Sequence, residues 1–488
     1  MEATKVKSLK NFIDGKFQEA TGSDVRIVNS PVTGEALYEA PDASKQDIDA
    51  AVAAAKKAQA LWAEKTAWER AEICHQIADT ILERKEQLAR ILTEEQGKPY
   101  YSEAIPGLEE TAENFRIAAE DVKRQETAVI PSMDKNKRIL TFRKPHGVYA
   151  CIIPWNFPTL MLSEFMGPAI AAGNTVVFKP SEYTPGTLAA LAEVFAETDL
   201  PDGVFNLVYG AGDVGQQLVE HPEIDAIGFI GSHVTADKIV RSAGLKPSIL
   251  EASGNGPTIV CEDADLKKAA KGAVEAAFYC AGQVCCSTER VLVHEKVHDE
   301  FVELVLEEAK KWKLGNPLDE ETTVGPMNNE PTAAKMEAHV RDAEEKGAKV
   351  LLGGKRDTSK PTNLYFEPTV LDNVGIDTLV NKHETFGPIV PIITVQSDEE
   401  AIEIANDSYL GLQSSIYTNN SARAFKFMNS IRTGNTVINE HSNYWEPHVP
   451  FGAATGTSTG WGRIGGRYTM LDMTQLQTVV WDFGEENN

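Results

Sequence analysis

The chain has 488 residues and a mass of 53.3 kDa, beyond the size at which a single core stops growing, so two or three domains are expected. With 42% apolar and 24% charged residues, its composition is that of a globular protein and excludes a small disulfide-stapled module. The formal net charge of −25 repels phosphate backbones and anionic lipid head groups, which argues against nucleic-acid and membrane partners.

The compartment is inferred from cysteine usage and from hydropathy. Six cysteines in 488 residues are too few and too unevenly spaced for a disulfide framework, which favours a reducing compartment. The N-terminal residues are not followed by an apolar signal segment, and no stretch of about 18 uninterrupted apolar residues occurs. The sequence therefore predicts a cytoplasmic protein.

The N-terminal third reads as helical. From Gln46 to about Glu94, apolar residues recur every three to four positions, which predicts amphipathic helices. Another helix is expected from about Glu103 to Arg124. Residues Arg138 to Arg143 alternate in strand fashion and could form an exposed ribbon.

The next block, Gly147 to Leu250, alternates short apolar runs with helix-length segments such as Gly186–Glu197. Repeated βα units predict a parallel, doubly wound sheet, which binds ligands beyond the carboxyl ends of its strands. The predicted strands are Val148–Ile153, Thr175–Phe178, Val204–Leu207, Ala226–Phe229 and Ser248–Leu250.

A second βα series, from about Asn255 to Pro450, predicts a separate domain. Its strands are expected at Arg290–Val293, Val350–Leu352, Ile389–Val395, Gln413–Tyr417 and Asn435–Ile438. The final stretch, Thr474–Trp481, also alternates, and a terminal strand of this kind often completes the sheet of a neighbouring subunit. Oligomerisation is therefore expected.

The phrase FYCAGQVCCSTER, Phe278 to Arg290, contains two candidate nucleophiles, Cys285 and Cys286, which come shortly after a Gly-Gln pair. Backbone N–H groups at a helix or loop terminus can stabilise a thiolate there. The alternative is that both thiols are buried small hydrophobic groups.

Two further phrases offer polar groups at strand ends. In LEASGNGP, Glu251 follows an apolar strand and would point into the crevice, unless it is a solvated loop carboxylate. In CIIPWNFP, two prolines fix the loop and could hold the Asn156 amide as an oxyanion donor. The alternative for Asn156 is a rigid turn in which it caps a helix.

Three phrases could bind a nucleotide cofactor. In TVVFKPSEYTP, Lys179 and Glu182 could hydrogen-bond a ribose, and Glu182 would repel a 2′-phosphate, which favours NAD over NADP; the alternative is a solvated surface pair. The GxGxxG match at Gly210–Gly215 is weak by itself. The phrase GFIGS, Gly228–Ser232, ends a strand and begins a helix, where N–H groups could meet a pyrophosphate.

Taken together and in order, PWNFP, KPSE, GFIGS, the Glu251 loop, GQVC, ETFGP and PFG resemble the aldehyde dehydrogenase superfamily over nearly the whole chain. Cys285 lies 34 residues after Glu251, a spacing similar to that of the family. The resemblance implies an α/β fold with two doubly wound βα domains and a small β oligomerisation arm. The implied ranges are 1–122 and 144–252 for the NAD-binding domain, 253–450 for the catalytic domain, and 123–143 with 470–488 for the arm.

The resemblance also implies a reaction, oxidation of an aldehyde to the carboxylic acid with NAD, or with NADP as a possible second cofactor. Cys285 would attack the aldehyde, Asn156 and the Cys285 N–H would hold the oxyanion, and Glu251 would activate the water that hydrolyses the thioester. The implied cofactor residues are Ile153, Trp155, Lys179, Glu182, Gly212, Phe229, Gly231, Ser232, Glu384 and Phe386. The implied substrate residues are Phe157, Glu164, His441 and Trp445.

The chain also departs from the family pattern. It has Glu251-Ala252-Ser253-Gly254-Asn255 where ELGGK is usual, and Glu164-Phe165 where a Trp-Lys pair is usual. Cys280 stands where an Asn is common and could form a bond with a nearby thiol under oxidation. The family pattern therefore does not specify the substrate of this chain.

The substrate and the partners stay open. Small polar semialdehydes or hydroxyaldehydes, aromatic aldehydes and amino-aldehydes all fit the pattern. Aromatic rings beside carboxylates in the loop Ile438–Gly452 could cage a cationic aldehyde, enclose an aromatic one, or pack at a subunit contact. His441, Glu446 and His448 have no further ligands at suitable spacing, so no metal is predicted.

The sequence leaves one alternative to turnover, a catalytically silent scaffold of the same fold. An enzyme that transfers the acyl group to coenzyme A, or one that reduces an acyl phosphate, is disfavoured by Glu251. The expected assembly is a homodimer or homotetramer that acts on a small-molecule aldehyde.

Overall fold

The computed structural model describes residues 6–484. The outermost parts of two ranges predicted from the sequence, 1–5 of the cofactor domain and 485–488 of the arm, lie outside these residues.

The strands follow one another along the whole chain. In chain order they are β1 (Lys7–Ser8), β2 (Asn11–Ile13), β3 (Lys16–Gln18), β4 (Val25–Asn29), β5 (Ala36–Pro41), β6 (Ala128–Ile130), β7 (Lys137–Pro145), β8 (Val148–Ile152), β9 (Thr175–Lys179), β10 (Phe205–Leu207), β11 (Ala226–Gly231), β12 (Ser248–Ala252), β13 (Gly256–Val260), β14 (Thr288–His294), β15 (Lys349–Leu352), β16 (Thr369–Asp372), β17 (Ile389–Val395), β18 (Gln413–Tyr417), β19 (Asn435–Ile438), β20 (Gly460–Trp461) and β21 (Thr474–Asp482).

The helices alternate with these strands. In chain order they are α1 (Lys45–Glu64), α2 (Ala67–Glu83), α3 (Lys85–Gln96), α4 (Ile105–Val122), α5 (Pro158–Ala172), α6 (Pro185–Phe195), α7 (Gly212–Glu220), α8 (His233–Ala243), α9 (Leu266–Phe278), α10 (His298–Ala309), α11 (Glu330–Glu345), α12 (Leu379–Lys382), α13 (Asp398–Asn406), α14 (Ser421–Ser430) and α15 (Gly466–Asp472).

The predicted helical region between residues 46 and 94 is divided into α1, α2 and α3. Ser44 and Thr66 each form a reciprocal capping box, with Asp47 and Glu69, and so begin α1 and α2. A π-helical turn, Tyr100–Ala104, leads into α4. Capping and turn chemistry thus subdivide a stretch whose apolar period alone is continuous.

The first large sheet has the strand order β20-β12-β11-β8-β9-β10-β2-β3. Strands β12, β11, β8, β9 and β10 are parallel, and β2, β3 and β20 add antiparallel edges. The parallel strands are buried apolar runs because helices cover both faces, α1, α7 and α8 on one and α2 to α6 on the other. The prediction of a doubly wound parallel sheet is confirmed, with strand ends shifted by one or two residues.

The second large sheet has the order β15-β16-β17-β14-β13-β18-β19. It is parallel except for β15, which pairs antiparallel with β16. The sequence reading did not identify β13 or β16. Strand β13 begins with Gly256-Pro257, which is a turn signal in isolation, but it is completely buried between β14 and β18.

The chain returns to the first sheet after completing the second. Strand β20 pairs with β12 through Leu250 and Glu251, and α15 packs against α4 and α5. Residues 451–469, which the sequence assigned to no domain, therefore help to position Glu251.

A third, smaller sheet has the order β21-β7-β6 and is antiparallel. Strand β21 pairs with β7 over nine residues, from Thr474 with Pro145 to Asp482 with Lys137. The predicted exposed ribbon and the predicted terminal strand are thus partners in one arm. A small sheet of β1, β5 and β4 lies near the N-terminus.

Candidate active site

A cavity of about 480 Å³ lies beyond the carboxyl ends of the first sheet, where loops of the second sheet face it. Asn156, Glu251 and Cys285, the three predicted catalytic residues, all line it. The structure therefore brings together three side chains that are separated by up to 129 positions in the sequence.

The loop that carries Cys285 has an unusual backbone. Cys280 and Ala281 both have positive φ, 53° and 52°, a conformation that is costly for residues with a β-carbon. Gly282 follows with φ 70°, and a β-carbon there would lie 2.0 Å from the oxygen of Gly387. Such a loop persists only if its surroundings hold it in place.

Three hydrogen bonds hold this loop. The buried Glu103 carboxylate accepts from the Cys280 N–H at 3.0 Å. The Gln283 side chain donates to the Cys280 carbonyl at 2.9 Å and accepts from the Asn328 N–H at 2.9 Å. Glu103 belongs to the π-helical turn, and no local sequence signal identified it beforehand.

The Cys285 thiol is protonated in this environment. A hydrogen bond with Cys286, followed by burial and the neighbouring Glu251 carboxylate, raises the pKa of Cys285 well above its usual value. A base must therefore take the thiol proton before the sulfur can act as a nucleophile. Cys280 is buried, and burial raises its pKa to about 12, so its thiol is unreactive at neutral pH.

Glu251 is positioned to be that base. It lies on β12, is only 2% exposed, and neither of its carboxyl oxygens has a hydrogen-bond partner among residues 6–484. Burial raises the pKa of Glu251 to about 8; the adjacent Cys285 thiol acts in the opposite direction and lowers this pKa, and the nearby Glu384 raises it. The solvated-loop alternative is therefore wrong, because the carboxyl is buried and faces the cavity.

Asn156 is fixed by the Cys285 loop. Its Nδ2 donates to the carbonyl of Gln283 at 3.0 Å, which uses one of the two amide N–H groups and leaves the second for a ligand. The helix-cap alternative is wrong, because the residue before α5 is Phe157 and no side chain caps that helix.

The predicted pyrophosphate cradle is at the start of α8. Ser232 caps this helix by accepting from the Thr235 N–H, and both Gly231 and Ser232 line the cavity. A β-carbon on Gly231 would lie 2.7 Å from the ring of Phe229, which is buried beneath it. A glycine on a packed ring at a helix N-terminus suits the close approach of a phosphate group.

Aromatic and acidic groups also line the cavity. The rings of Trp155 and Phe386 meet edge-on, with centroids 5.6 Å apart. Phe386 has φ 60° and is held by the buried Glu289, which accepts from the N–H groups of Thr385 and Phe386. Glu384 accepts from the Gly254 N–H at 2.9 Å.

Lys179 and Glu182 do not pair with each other. Lys179 is buried and donates to the carbonyls of Pro180 and Gly210, and burial lowers its pKa to about 8. Glu182 is exposed. The surface-pair alternative is therefore wrong for Lys179. Lys179 also packs against Gly215 of the GxGxxG match.

The remaining predicted residues fall into two groups. Phe157, Glu164, His441 and Trp445 all line the cavity, as do Trp155, Glu384 and Phe386. Ile153, Lys179, Glu182, Gly212 and Phe229 do not line it. Gly212 begins α7. Ile153 is buried beside β9, where its N–H donates to the Lys179 carbonyl.

Several cavity residues were not predicted from the sequence. Ser253 and Asn443 lie within phrases that the sequence analysis considered for other residues, whereas no motif marks the remaining four, Glu110, Glu275, Thr332 and Lys335. Only their arrangement in three dimensions identifies them.

A sequence model described as the aldehyde dehydrogenase family matches residues 17–479. The chain belongs to the aldehyde dehydrogenase family. The mitochondrial succinate-semialdehyde dehydrogenase of Arabidopsis thaliana is 36% identical over 473 residues, which cover 96% of this chain and 88% of that protein.

Two solved structures are equally similar to this chain in fold. An NAD-dependent aldehyde dehydrogenase from Sinorhizobium meliloti has a TM-score of 0.94 and 36% identity, covering 99% of this chain and 96% of its own. An NADP-dependent enzyme from E. coli has a TM-score of 0.94 and 34% identity, covering 99% of this chain and all of its own.

These similarities confirm several sequence predictions. The fold is that of an aldehyde dehydrogenase, and the protein is an NAD(P)-dependent aldehyde dehydrogenase that oxidises an aldehyde to a carboxylic acid.

Among residues 6–484, none of the helices is long and apolar enough to cross a bilayer. Within the same residues, no group of three or more His, Cys, Asp and Glu side chains is arranged to hold a metal ion.

Proposed function

We propose that this aldehyde dehydrogenase works through a covalent intermediate on Cys285. The observation that supports this most directly is the position of an unpartnered buried carboxyl, Glu251, in the same cavity as the Cys285 thiol, judged over the described residues. Ionised Glu251 takes the thiol proton, and the sulfur forms a bond with the aldehyde carbon. The oxygen of the resulting thiohemiacetal is held by the second N–H of Asn156 and by the Cys285 N–H.

The next steps release a free acid. The one piece of chemistry that bound NAD supplies is acceptance of the hydride that leaves the thiohemiacetal carbon. Glu251 returns to its ionised form by releasing the thiol proton to solvent, and it then takes a proton from the water that attacks the Cys285 thioester, as the carbon–sulfur bond breaks and the Cys285 thiolate leaves. Because the base is buried beside the thioester, hydrolysis is favoured over transfer of the acyl group to coenzyme A.

The residues that would hold the cofactor follow the predicted set. Gly231 and Ser232 would meet the pyrophosphate at the α8 N-terminus, with Phe229 packed beneath, and Glu384 with Phe386 would meet the nicotinamide ribose. Ile153, Trp155, Lys179, Glu182 and Gly212 would border the rest of the groove. The exposed Glu182 carboxylate favours NAD and leaves NADP as a weaker cofactor.

The experiment that tests this function measures NADH formation with a panel of aldehydes for wild type, Cys285→Ala and Cys286→Ala. The proposal predicts turnover in wild type and Cys286→Ala and none in Cys285→Ala. Turnover that survives in Cys285→Ala but is lost in Cys286→Ala would assign the nucleophile to the neighbouring thiol.

We infer that the assembly is a homodimer or a homotetramer built through the arm. Strand β21 is an edge of its sheet, and its exposed apolar side chains Leu476, Val480 and Trp481 favour burial against a second subunit. All six cysteines are free, which supports a reducing compartment such as the cytoplasm. We infer that residues 1–122 and 144–252 bind the cofactor, residues 253–450 carry catalysis, and residues 123–143 and 470–488 form the assembly arm.

A further inference from the structure

We propose that the aldehyde substrate of this enzyme carries a positively charged amine group. The inference rests on the proposed function and specifies its substrate class. It depends on the charges, the unpartnered polar atoms and the aromatic rings of the cavity residues that are not assigned to the cofactor.

The cavity is acidic. Five carboxyl side chains line it, of which Glu251 and Glu384 are assigned to catalysis and the cofactor, and the other three are Glu110, Glu164 and Glu275. Among the residues that the structure describes, no arginine lines it. Its one lysine, Lys335, lies 5.8 Å from the ring centroid of Phe386 and so belongs to the cofactor end.

A second lysine near the cavity does not change this balance. The Lys98 ammonium lies 3.5 Å from the ring centroid of Phe157 but is itself buried and does not line the cavity. It is electrostatically coupled to the carboxyls of Glu103 and Glu110, whose pKa values are raised by burial and lowered by Lys98. The carboxyl of Glu103, which does not line the cavity, therefore compensates Lys98, although Lys98 also attracts the cavity carboxyl of Glu110.

Glu164 is a buried cavity carboxyl that a cationic partner would stabilise. It lies on α5, is 3% exposed, and its Oε2 has no hydrogen-bond partner within residues 6–484. Burial, with added repulsion from Glu251 and Glu110, raises the pKa of Glu164 well above its usual value. A cation in the cavity would stabilise the ionised carboxylate and remove the cost of the unpartnered buried oxygen.

Aromatic rings complete a site suited to a cation. The Phe157 ring already has the Lys98 ammonium over it and stacks on Tyr279 with centroids 6.2 Å apart, so the rings that line the cavity without such partners are Tyr444 and Trp445. The faces of such rings attract an ammonium or a quaternary amine. In the part of the chain that the structure describes, the buried Oδ1 of Asn443 lacks a partner and is a further acceptor in the cavity wall.

The same charges disfavour an anionic aldehyde. A carboxylate placed beside Glu110, Glu164 and Glu275 would meet like charges, and apart from Lys335 the one basic side chain that lines the cavity, among the described residues, is His441. Succinate semialdehyde, the substrate in the name of the Arabidopsis relative, carries such a carboxylate. The substrate of this chain therefore differs in charge from the substrate of that relative.

The test compares aldehydes of matched shape and different charge. We would measure kcat/KM for 4-(trimethylammonio)butanal and for its uncharged carbon analogue 5,5-dimethylhexanal, and for 3-aminopropanal against butanal, with succinate semialdehyde as the anionic member. The proposal predicts that at least one cationic aldehyde exceeds its neutral partner by about tenfold or more, with succinate semialdehyde the poorest substrate.

Variants identify the carboxyl responsible. Glu164→Gln should lower the ratio of cationic to neutral kcat/KM by about tenfold, because the acceptor stays but the charge is lost. Glu113→Gln, which removes an exposed carboxyl from α4, should leave the ratio unchanged. If Glu164→Gln leaves this ratio unchanged in a folded protein, Glu164 does not bind the cation and the proposal is overturned.

The outcomes separate this proposal from the proposed function. If no aldehyde of any charge is oxidised, the function itself fails. If neutral or anionic aldehydes are oxidised as well as or better than both cationic ones, the function stands and only the cationic substrate class is overturned.

Discussion

The backbone oxygen of Cys285 faces Gly254 so closely that a β-carbon on Gly254 would lie 1.9 Å from it. Gly254 follows the Glu251 strand and donates its N–H to Glu384. One glycine therefore joins the proposed base, the nucleophile loop and a cofactor residue.

This contact predicts the effect of adding one methyl group. Gly254→Ala should displace the Cys285 loop, lowering kcat/KM by at least about tenfold and stability by about 1–3 kcal/mol. Gly107→Ala on α4 is a matched control, because a β-carbon there meets no atom within 4 Å among the described residues. Enzyme assays and thermal unfolding of both variants check this, and equal activities would contradict it.

Activity should rise with pH as Glu251 ionises. Its pKa in the free enzyme is raised to about 8 and only the ionised form accepts a proton, so kcat/KM should fall about tenfold per pH unit below that value and level off above it. The measurement is a pH profile of kcat/KM, with Glu251→Gln as the variant whose residual rate lacks the inflection. A wild-type profile that is flat through neutral pH would show that another group is the base.

Asn156 should matter for the transition state rather than for folding. Asn156→Asp keeps the shape but replaces the amide donors by acceptors, so kcat should fall by about 10² to 10³. Thermal unfolding distinguishes this from collapse of the loop. Wild-type kcat in a well-folded Asn156→Asp protein would exclude the amide as the oxyanion donor.

The arm should control assembly. Trp481 is 58% exposed on the edge strand β21, and a lysine there would place a charge in the proposed subunit contact. Trp481→Lys should lower the molar mass measured by light scattering. The control variant Leu245→Lys, at a fully exposed apolar residue outside the arm, should leave the mass unchanged. Unchanged mass in both variants would place the contact elsewhere.

The parallel sheets could be read from the sequence because their strands are continuous apolar runs. Val148–Ile152 and Thr175–Lys179 are buried along their whole lengths, which is the pattern of a strand covered on both faces. Strand β13 was missed because Gly256 and Pro257 suggest a turn. Its assignment depends on pairing with β14 and β18, which no local pattern reveals.

The candidate site likewise contains residues that the sequence predicted and residues that only the structure identified. Cys285, Glu251 and Asn156 stand in phrases whose order indicated the family, so their meeting in one cavity was expected. The residues that support the site were not expected. Glu103, on a π-helical turn distant in the sequence, accepts a hydrogen bond from the N–H of Cys280, whose backbone has positive φ. Lys179 was read as a crevice lysine, but its ammonium is occupied by two backbone carbonyls.

The most direct test of a Cys285 thioester is to trap it. Glu251→Gln, given an aldehyde and NAD, should form the thioester slowly, because solvent must take the thiol proton in place of Glu251, and should then stall after about one equivalent of NADH per subunit, because hydrolysis lacks its base. Mass spectrometry of the digested protein should find the acyl group on Cys285, and the adduct should be absent when Cys285→Ala is combined with Glu251→Gln. An acyl group on Cys286, or NADH release with no adduct on any cysteine, would contradict the account.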